Sequence, residues 1–232
     1  MIYVISDIHG CYDKYQTMLE KINPDTNDTI YVLGDIIDRG ADGFKTMLDI
    51  MSQPNVYAIR GNHEAMAINA MIKFAEEAKK NHRTGTIPFS NDMNLWFRNG
   101  GEISLAQFMT LSQEDAYSVW TYMLTMPLYK EISVEGKEYI LVHGGLGNFS
   151  TNRSLNNYSV DEIVWSRPTP DTRYYSDKTV IVGHTPTFYY NSCSMNNASI
   201  YRTDSFIDID CGCVYGGRLA CLCLDTNEEI YL

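Results

Sequence analysis

Positive charge is scarce in this 232-residue sequence: 18 Lys and Arg stand against 29 Asp and Glu, a formal net charge of -11. Such a field repels polyanions, so long nucleic acid and anionic membranes are disfavoured as partners, while a locally cationic pocket remains allowed. No apolar run approaches the roughly 20 residues needed to cross a bilayer. The opening Met1-Ile2-Tyr3-Val4-Ile5-Ser6 lacks a basic segment and a small-residue cleavage site, so no secretion signal is expected and the cytoplasm is the expected location. Internal repeats and low-complexity stretches are also missing. The six cysteines (Cys11, Cys193, Cys211, Cys213, Cys221 and Cys223) are expected as reduced thiols rather than a disulfide framework. Two Cys-x-Cys pairs could supply four thiolates to zinc. On a strand, however, that spacing points both sulfurs to one face, where cysteine packs as a small apolar residue, and this is the reading adopted.

What is present is a chain with 44% hydrophobic residues, enough to bury a sizeable core as one domain with an inserted helical cap rather than two equal domains. Short β-branched or aromatic runs each stop at Gly, Asp, Asn or His. They are Ile2 to Ile5, Thr29 to Leu33, Asn55 to Ile59, Glu138 to Val142 and Thr179 to Val182. Each reads as a buried strand. Helical spacing over Tyr12 to Ile22 and Gly43 to Met51 gives a β-α-β-α-β opening, which predicts neighbouring parallel strands. From Glu64 to about Met126 the composition turns to Ala, Met, Leu, Glu and Lys, broken by a polar stretch from Asn81 to Asn91. This predicts an insertion of three or four helices, assigned to about 65–126, with Glu114 to Thr125 closed by Pro127. Phe206 to Asp210 and Arg218 to Leu224 are expected as closing strands around the turn Tyr215-Gly216-Gly217.

The chemistry-bearing residues are not scattered. Of five histidines, four (His9, His63, His143 and His184) follow a strand and have a glycine within two positions, and Asp7, Asp35 and Asp38 share those strand ends. Open α/β sheets gather ligand sites there. One such residue alone more often caps a helix or satisfies a turn, but five strand ends together point to imidazoles and carboxylates crowding one pocket, a crowding that divalent metal relieves. His82, in the polar stretch, is expected to be solvent-exposed and without a role.

Asp7-Ile8-His9-Gly10, Gly34-Asp35-Ile36-Ile37-Asp38-Arg39-Gly40, Gly61-Asn62-His63-Glu64, His143-Gly144-Gly145 and Gly183-His184-Thr185 resemble, in order and spacing, the signature of the PPP-type (calcineurin-like) metallophosphoesterases. That family includes serine/threonine protein phosphatases, phage-type bacterial phosphatases and diadenosine tetraphosphate hydrolases. Trp96-Phe97-Arg98-Asn99-Gly100-Gly101, Trp165-Ser166-Arg167 and Cys213-Val214-Tyr215-Gly216-Gly217 look like its smaller bacterial members. The resemblance implies an α/β fold with a central β-sandwich of two mixed sheets flanked by helices. It implies two divalent metals (Mn, Fe or Zn), one held by Asp7 and His9, the other by Asn62, His143 and His184, with Asp35 bridging. A hydroxide activated between the two cations would then be the nucleophile. His63 resembles the general acid that protonates the leaving group, oriented and charged by Asp38. Arg39 and Arg167 look like the phosphate clamp, a planar guanidinium matching two phosphoryl oxygens. Arg60 and Glu64 are read as supports of their loop and are kept out of catalysis.

Three functions compete. A protein phosphatase acting on phosphoserine and phosphothreonine, with dual specificity toward phosphotyrosine allowed, is the leading expectation, its substrate a phosphorylated protein, peptide or small phosphoester, because Gly-Asn-His-Glu resembles the protein phosphatases. A dinucleoside-polyphosphate hydrolase or nucleic-acid-end phosphatase is the second. A non-catalytic metal-binding module is the third, disfavoured because Asp38, Arg39 and His63 are not needed merely to hold metal.

Overall fold

Alternating burial along the strands builds the architecture. In strand β1 (Ile2–Ile5), Tyr3 and Ile5 join one apolar cluster while Val4 joins another, as a period of two requires. A strand apolar on both faces has to be covered twice, and here it is. The computed structural model describes residues 1–80 and 90–232; His82 and residues 81–89 of the polar stretch lie outside the described residues.

The first sheet has the order β10-β9-β1-β2-β3, where β2 is Thr29–Val32, β3 Val56–Ala58, β9 Ala220–Cys223 and β10 Glu229–Tyr231. Strands β1, β2 and β3 run parallel and β9 and β10 add antiparallel. Helix α1 (Tyr12–Ile22) links β1 to β2, and α2 (Gly43–Ser52) links β2 to β3. The buried Tyr15, Met18 and Ile22 of α1 lie on one face at helical spacing.

The second sheet has the order β4-β5-β6-β8-β7, with β4 Tyr129–Val134, β5 Lys137–Val142, β6 Lys178–Val182, β7 Tyr201–Arg202 and β8 Phe206–Asp208. Its central strands β5, β6 and β8 are parallel and the outer two antiparallel. The sheets meet through Val4, Tyr31 and Leu222 of the first and Tyr139, Leu141, Ile181 and Ile207 of the second. Each fully buried aliphatic side chain there contributes about 1.5–3 kcal/mol. Two mixed sheets flanked by helices are thus the frame. Cys221 and Cys223 face the outer core beside α1 and α2, whereas Cys211 lies between the sheets, so these thiols sit on opposite faces.

After β3 come α3 (Asn62–Lys80), α4 (Asn91–Arg98), α5 (Gly101–Phe108) and α6 (Gln113–Thr125). Ser90 and Ser112 cap α4 and α6 through their hydroxyls. Met66, Ala67, Met93, Trp96, Val119 and Met123 share one apolar cluster with Tyr15, Met18, Phe44 and Met47, so these helices pack on the outer face of the first sheet. One detail differs from the expected bounds: α3 begins at Asn62, so Asn62 and His63 ride on its first turn. Short α7 (Val160–Val164), closed by a capping box from Ser159 and Glu162, and α8 (Phe188–Asn191) complete the second-sheet side.

Candidate active site

The strands β1, β2 and β6 turn sharply at the motifs that follow them. Asp7 (φ 52°), His9 (46°), Asp35 (52°), Asp38 (71°), Arg39 (67°) and His184 (69°) all hold left-handed backbone, which costs a non-glycine residue roughly 1–2 kcal/mol each. The cost is offset by stitching between loops. His9 N–H donates to Asp35 O at 2.8 Å, Gly10 N–H to Ile36 O at 2.8 Å and Asp7 N–H to Gly34 O at 3.3 Å. Buried Glu64 completes it, its Oε2 accepting from Asp35 and Gly61 N–H at 2.9 Å and its Oε1 from Ile36 N–H at 2.8 Å and Ile37 N–H at 3.3 Å. Gly34 (φ 85°) is required as glycine, since a Cβ there would stand 2.4 Å from Gly61 N. Arg60 turns away and donates to Met123 O and Leu124 O, the carbonyl end of α6.

These turns deliver the side chains to one buried focus around Asp35. Two groups have their ligand atoms within 4.8 Å of one another: His9, Asp35 and His63, and Asp35, His143 and His184. Asp35 belongs to both. His143 Nε2 lies 3.3 Å from Asp35 Oδ1 and 2.8 Å from Asn62 Oδ1, and His9 Nε2 lies 3.5 Å from Asp35 Oδ2. Asp7 flanks the second group, its Oδ2 accepting from Ser6 Oγ and from His184 N–H at 3.0 Å. His9 Nδ1 is 2.9 Å from Ile37 O and His143 Nδ1 is 2.6 Å from Leu33 O. A carbonyl can only accept, so each Nδ1 carries the hydrogen and each Nε2 faces the focus.

The charges respond to this crowding. Burial alone would push Asp35 up, but the charges of His143 and His63 and a hydrogen bond from His143 hold it well below the usual carboxylate range. Burial pushes His143 down, and Asp35 and Asp7 overcome it, so its imidazole rises to about 9. Burial, then the charge of His143, presses His184 down to about 2, and burial with His63 lowers His9 well below its ordinary value. Burial raises Asp7. His9 and His184 are therefore neutral, and among the described residues the buried Nε2 atoms of His63 and His184 have no hydrogen-bond partner. Two carboxylates, imidazoles and one amide oxygen form a donor set suited to divalent first-row cations, and the orphaned His184 Nε2 fits that use.

Beside the focus His63 Nδ1 lies 2.6 Å from Asp38 Oδ2, both residues fully buried. A cleft of about 440 Å³ opens above, lined by Asp35, Arg39, Asn62, Arg167, His184 and Tyr215 among others. Arg39 Nη1 is 2.6 Å from His9 Nε2, with its guanidinium over the Tyr215 ring. Arg167 is exposed and donates to His184 O and Thr185 Oγ1, both at 3.0 Å. All ten site residues expected from the sequence thus converge on one cleft and its floor. Three more were missed: Trp96, whose indole reaches Asp38; Asn99 on the rim; and Asp210 in the wall. Burial, then the charge of Asp7, pushes the Asp210 carboxyl well above its usual range. The strand-end criterion applied to Ile207-Asp208-Ile209-Asp210 would have found it.

The profile described as calcineurin-like phosphoesterase matches residues 1–217. Over 171 residues, 72% of this chain and 67% of the relative, the sequence is 30% identical to serine/threonine-protein phosphatase 2 of Salmonella typhimurium. Over 79 residues, 33% of this chain and 28% of the relative, it is 40% identical to the symmetrical bis(5'-nucleosyl)-tetraphosphatase of Wigglesworthia glossinidia brevipalpis. A solved structure described as an inferred diadenosine tetraphosphatase superposes with a TM-score of 0.67 over 100% of this chain and 92% of its own, at 19% identity, a likeness of fold.

Proposed function

From the premise that this chain belongs to the calcineurin-like phosphoesterase family, hydrolases of phosphoesters, we propose that it is a cytoplasmic phosphatase of the serine/threonine type acting on phosphorylated protein, peptide or small phosphomonoester. The observation that carries the reading is the sharing of Asp35 between two metal-capable groups within reach of an unpartnered histidine nitrogen. Asp7, His9 and Asp35 would hold one divalent cation and Asp35, Asn62, His143 and His184 a second, with Mn, Fe or Zn as candidates. Two such cations would supply a water of lowered pKa and polarise phosphoryl oxygens.

The chain supplies the rest. Arg39 and Arg167, both lining the cleft, bind the phosphoryl oxygens and stabilise charge as it moves to the leaving group. Arg39 Nη1 lies 2.6 Å from His9 Nε2, so a cation held by that nitrogen would require the guanidinium to move away from it. His63 keeps a hydrogen on Nδ1 for Asp38 and donates a proton from Nε2 to the departing oxygen. Asp38 fixes the ring and balances its charge.

The substrate preference rests on extent of likeness, since the phosphatase relative aligns over 72% of this chain and the tetraphosphatase relative over 33%. The test is a metal-reconstituted panel of phosphoserine and phosphothreonine peptides, diadenosine tetraphosphate and 5'-phosphorylated RNA, ranked by kcat/KM. Phosphopeptides are expected to rank first. A higher kcat/KM for diadenosine tetraphosphate would replace this reading with the dinucleotide one, and a higher value for RNA ends with the nucleic-acid one.

A further inference from the structure

The helices on the outer face of the first sheet do more than cover it: they reach the acid. Trp96, in α4 and fully buried, points its indole Nε1–H at both oxygens of the equally buried Asp38, 3.0 Å from Oδ1 and 2.9 Å from Oδ2. Oδ2 is the oxygen that faces His63 Nδ1 at 2.6 Å. An indole N–H can only donate, and so can an imidazole Nδ1–H, which makes the carboxylate the common acceptor of two fixed hydrogens. In a dry interior such charge-assisted bonds are about twice as strong as neutral ones.

The indole is itself held in place. A Cβ on Gly101 would stand 2.3 Å from Trp96 Nε1 and 2.4 Å from Cδ1, so the backbone of Gly101 lies flat against the ring. The same helical pair grips the Asp38 loop twice more, Ser104 Oγ accepting from Asp38 N–H at 2.8 Å and Gly100 O from Arg39 N–H at 3.2 Å. Asp38 and Arg39 both carry left-handed backbone, so the loop leans on these contacts to keep its shape.

We propose that Trp96 is a positioning residue for proton delivery: its N–H fixes the Asp38 carboxylate in the orientation that aims His63 Nε2 at the leaving oxygen. The inference rests on the reading of His63 as the acid. It predicts that loss of the N–H weakens protonation of the leaving group and spares substrate binding, a signature that mere loosening of the core does not give. Substrates whose leaving groups depart without help should hardly notice.

The experiment compares Trp96→Phe with the unaltered, metal-loaded protein on phenyl phosphate and on 2,4-dinitrophenyl phosphate. A general acid is worth about 10²–10⁴-fold, so kcat on phenyl phosphate is expected to fall about 10-fold or more, with KM within about twofold and kcat on the dinitrophenyl ester within about threefold. In the Asp38→Asn background the same substitution should cost nothing further, since the path through the carboxylate is already cut. A uniform loss on both esters, or a loss that adds to that of Asp38→Asn, overturns the proposal. Should Trp96→Phe fail to fold, 3-benzothienylalanine at position 96 keeps the bicyclic ring and exchanges N–H for sulfur, and the same criteria apply. A readout independent of turnover is the Trp96 indole proton in ¹⁵N-labelled metal-free protein, expected downfield and moved upfield by Asp38→Asn; an unchanged resonance also overturns it. His63→Asn separates the two layers. If that variant shows no dependence on leaving group, the acid reading fails and this inference with it; if it does and Trp96→Phe does not, only the role of Trp96 fails.

Discussion

The two sheets contribute to one cleft in different ways. On the first sheet, five consecutive-motif residues from Asp7 to Arg39 adopt left-handed backbone, and the loops that carry them are stitched to each other and to Glu64. On the second, His143 follows β5 without such a turn, and of its two site histidines it is His184 that is left-handed. The first side stores strain and holds it with backbone hydrogen bonds, while the second lends two imidazoles from nearly regular strand ends. The lesson is that precision is concentrated where bridging and proton transfer are assigned, and the opposite wall needs only reach.

Asp35→Ala should have the largest effect, because this carboxylate belongs to both groups. Activity toward p-nitrophenyl phosphate is expected to fall to background and metal content, read by plasma mass spectrometry, to collapse with it; full occupancy would break the bridging role. His63→Asn comes next, with turnover down about 10²–10⁴-fold and metal content retained. Equal loss of metal would move His63 into the ligand set, a placement its proximity to His9 and Asp35 makes worth measuring.

The second-sheet side is probed by pH. His143 keeps its proton up to about 9 in the metal-free protein, above the ordinary value of 6.5, and a ligating imidazole must be neutral. Manganese affinity should therefore rise about tenfold per pH unit from 6.5 toward 9 and then level off, with a proton released on binding, measurable by calorimetry in buffers of different ionisation enthalpy. A flat profile would show that His143 is not where the cation goes. Glu64→Gln tests the stitching: it keeps the shape and removes the charge that four backbone N–H groups face, and should weaken metal affinity about 10–100-fold. Smallest is Ser159→Ala in the capping box of α7, expected to cost about 1 kcal/mol in denaturant titration and to leave turnover unchanged.

Much of this was legible because ligand residues ending apolar runs form a one-dimensional pattern. Tyr12 to Ile22 and the parallel opening are written in local periodicity, and the observed helix has those bounds. Contacts across long separations are not written that way. Trp96 reads as a core aromatic from its neighbours, and only the fold brings its N–H to a carboxylate 58 positions away. The two-residue strand Tyr201–Arg202 is too short for alternation to reveal, and Asp210 was hidden inside what read simply as a closing strand.

His184 N–H donates to Asp7 Oδ2 across 177 positions, and β1 lies between β2 and β9, a strand that ends at Cys223. Neither half of the sequence holds the socket alone, because the carboxylate comes from the segment after β1 and the backbone N–H that fixes it from the segment after β6.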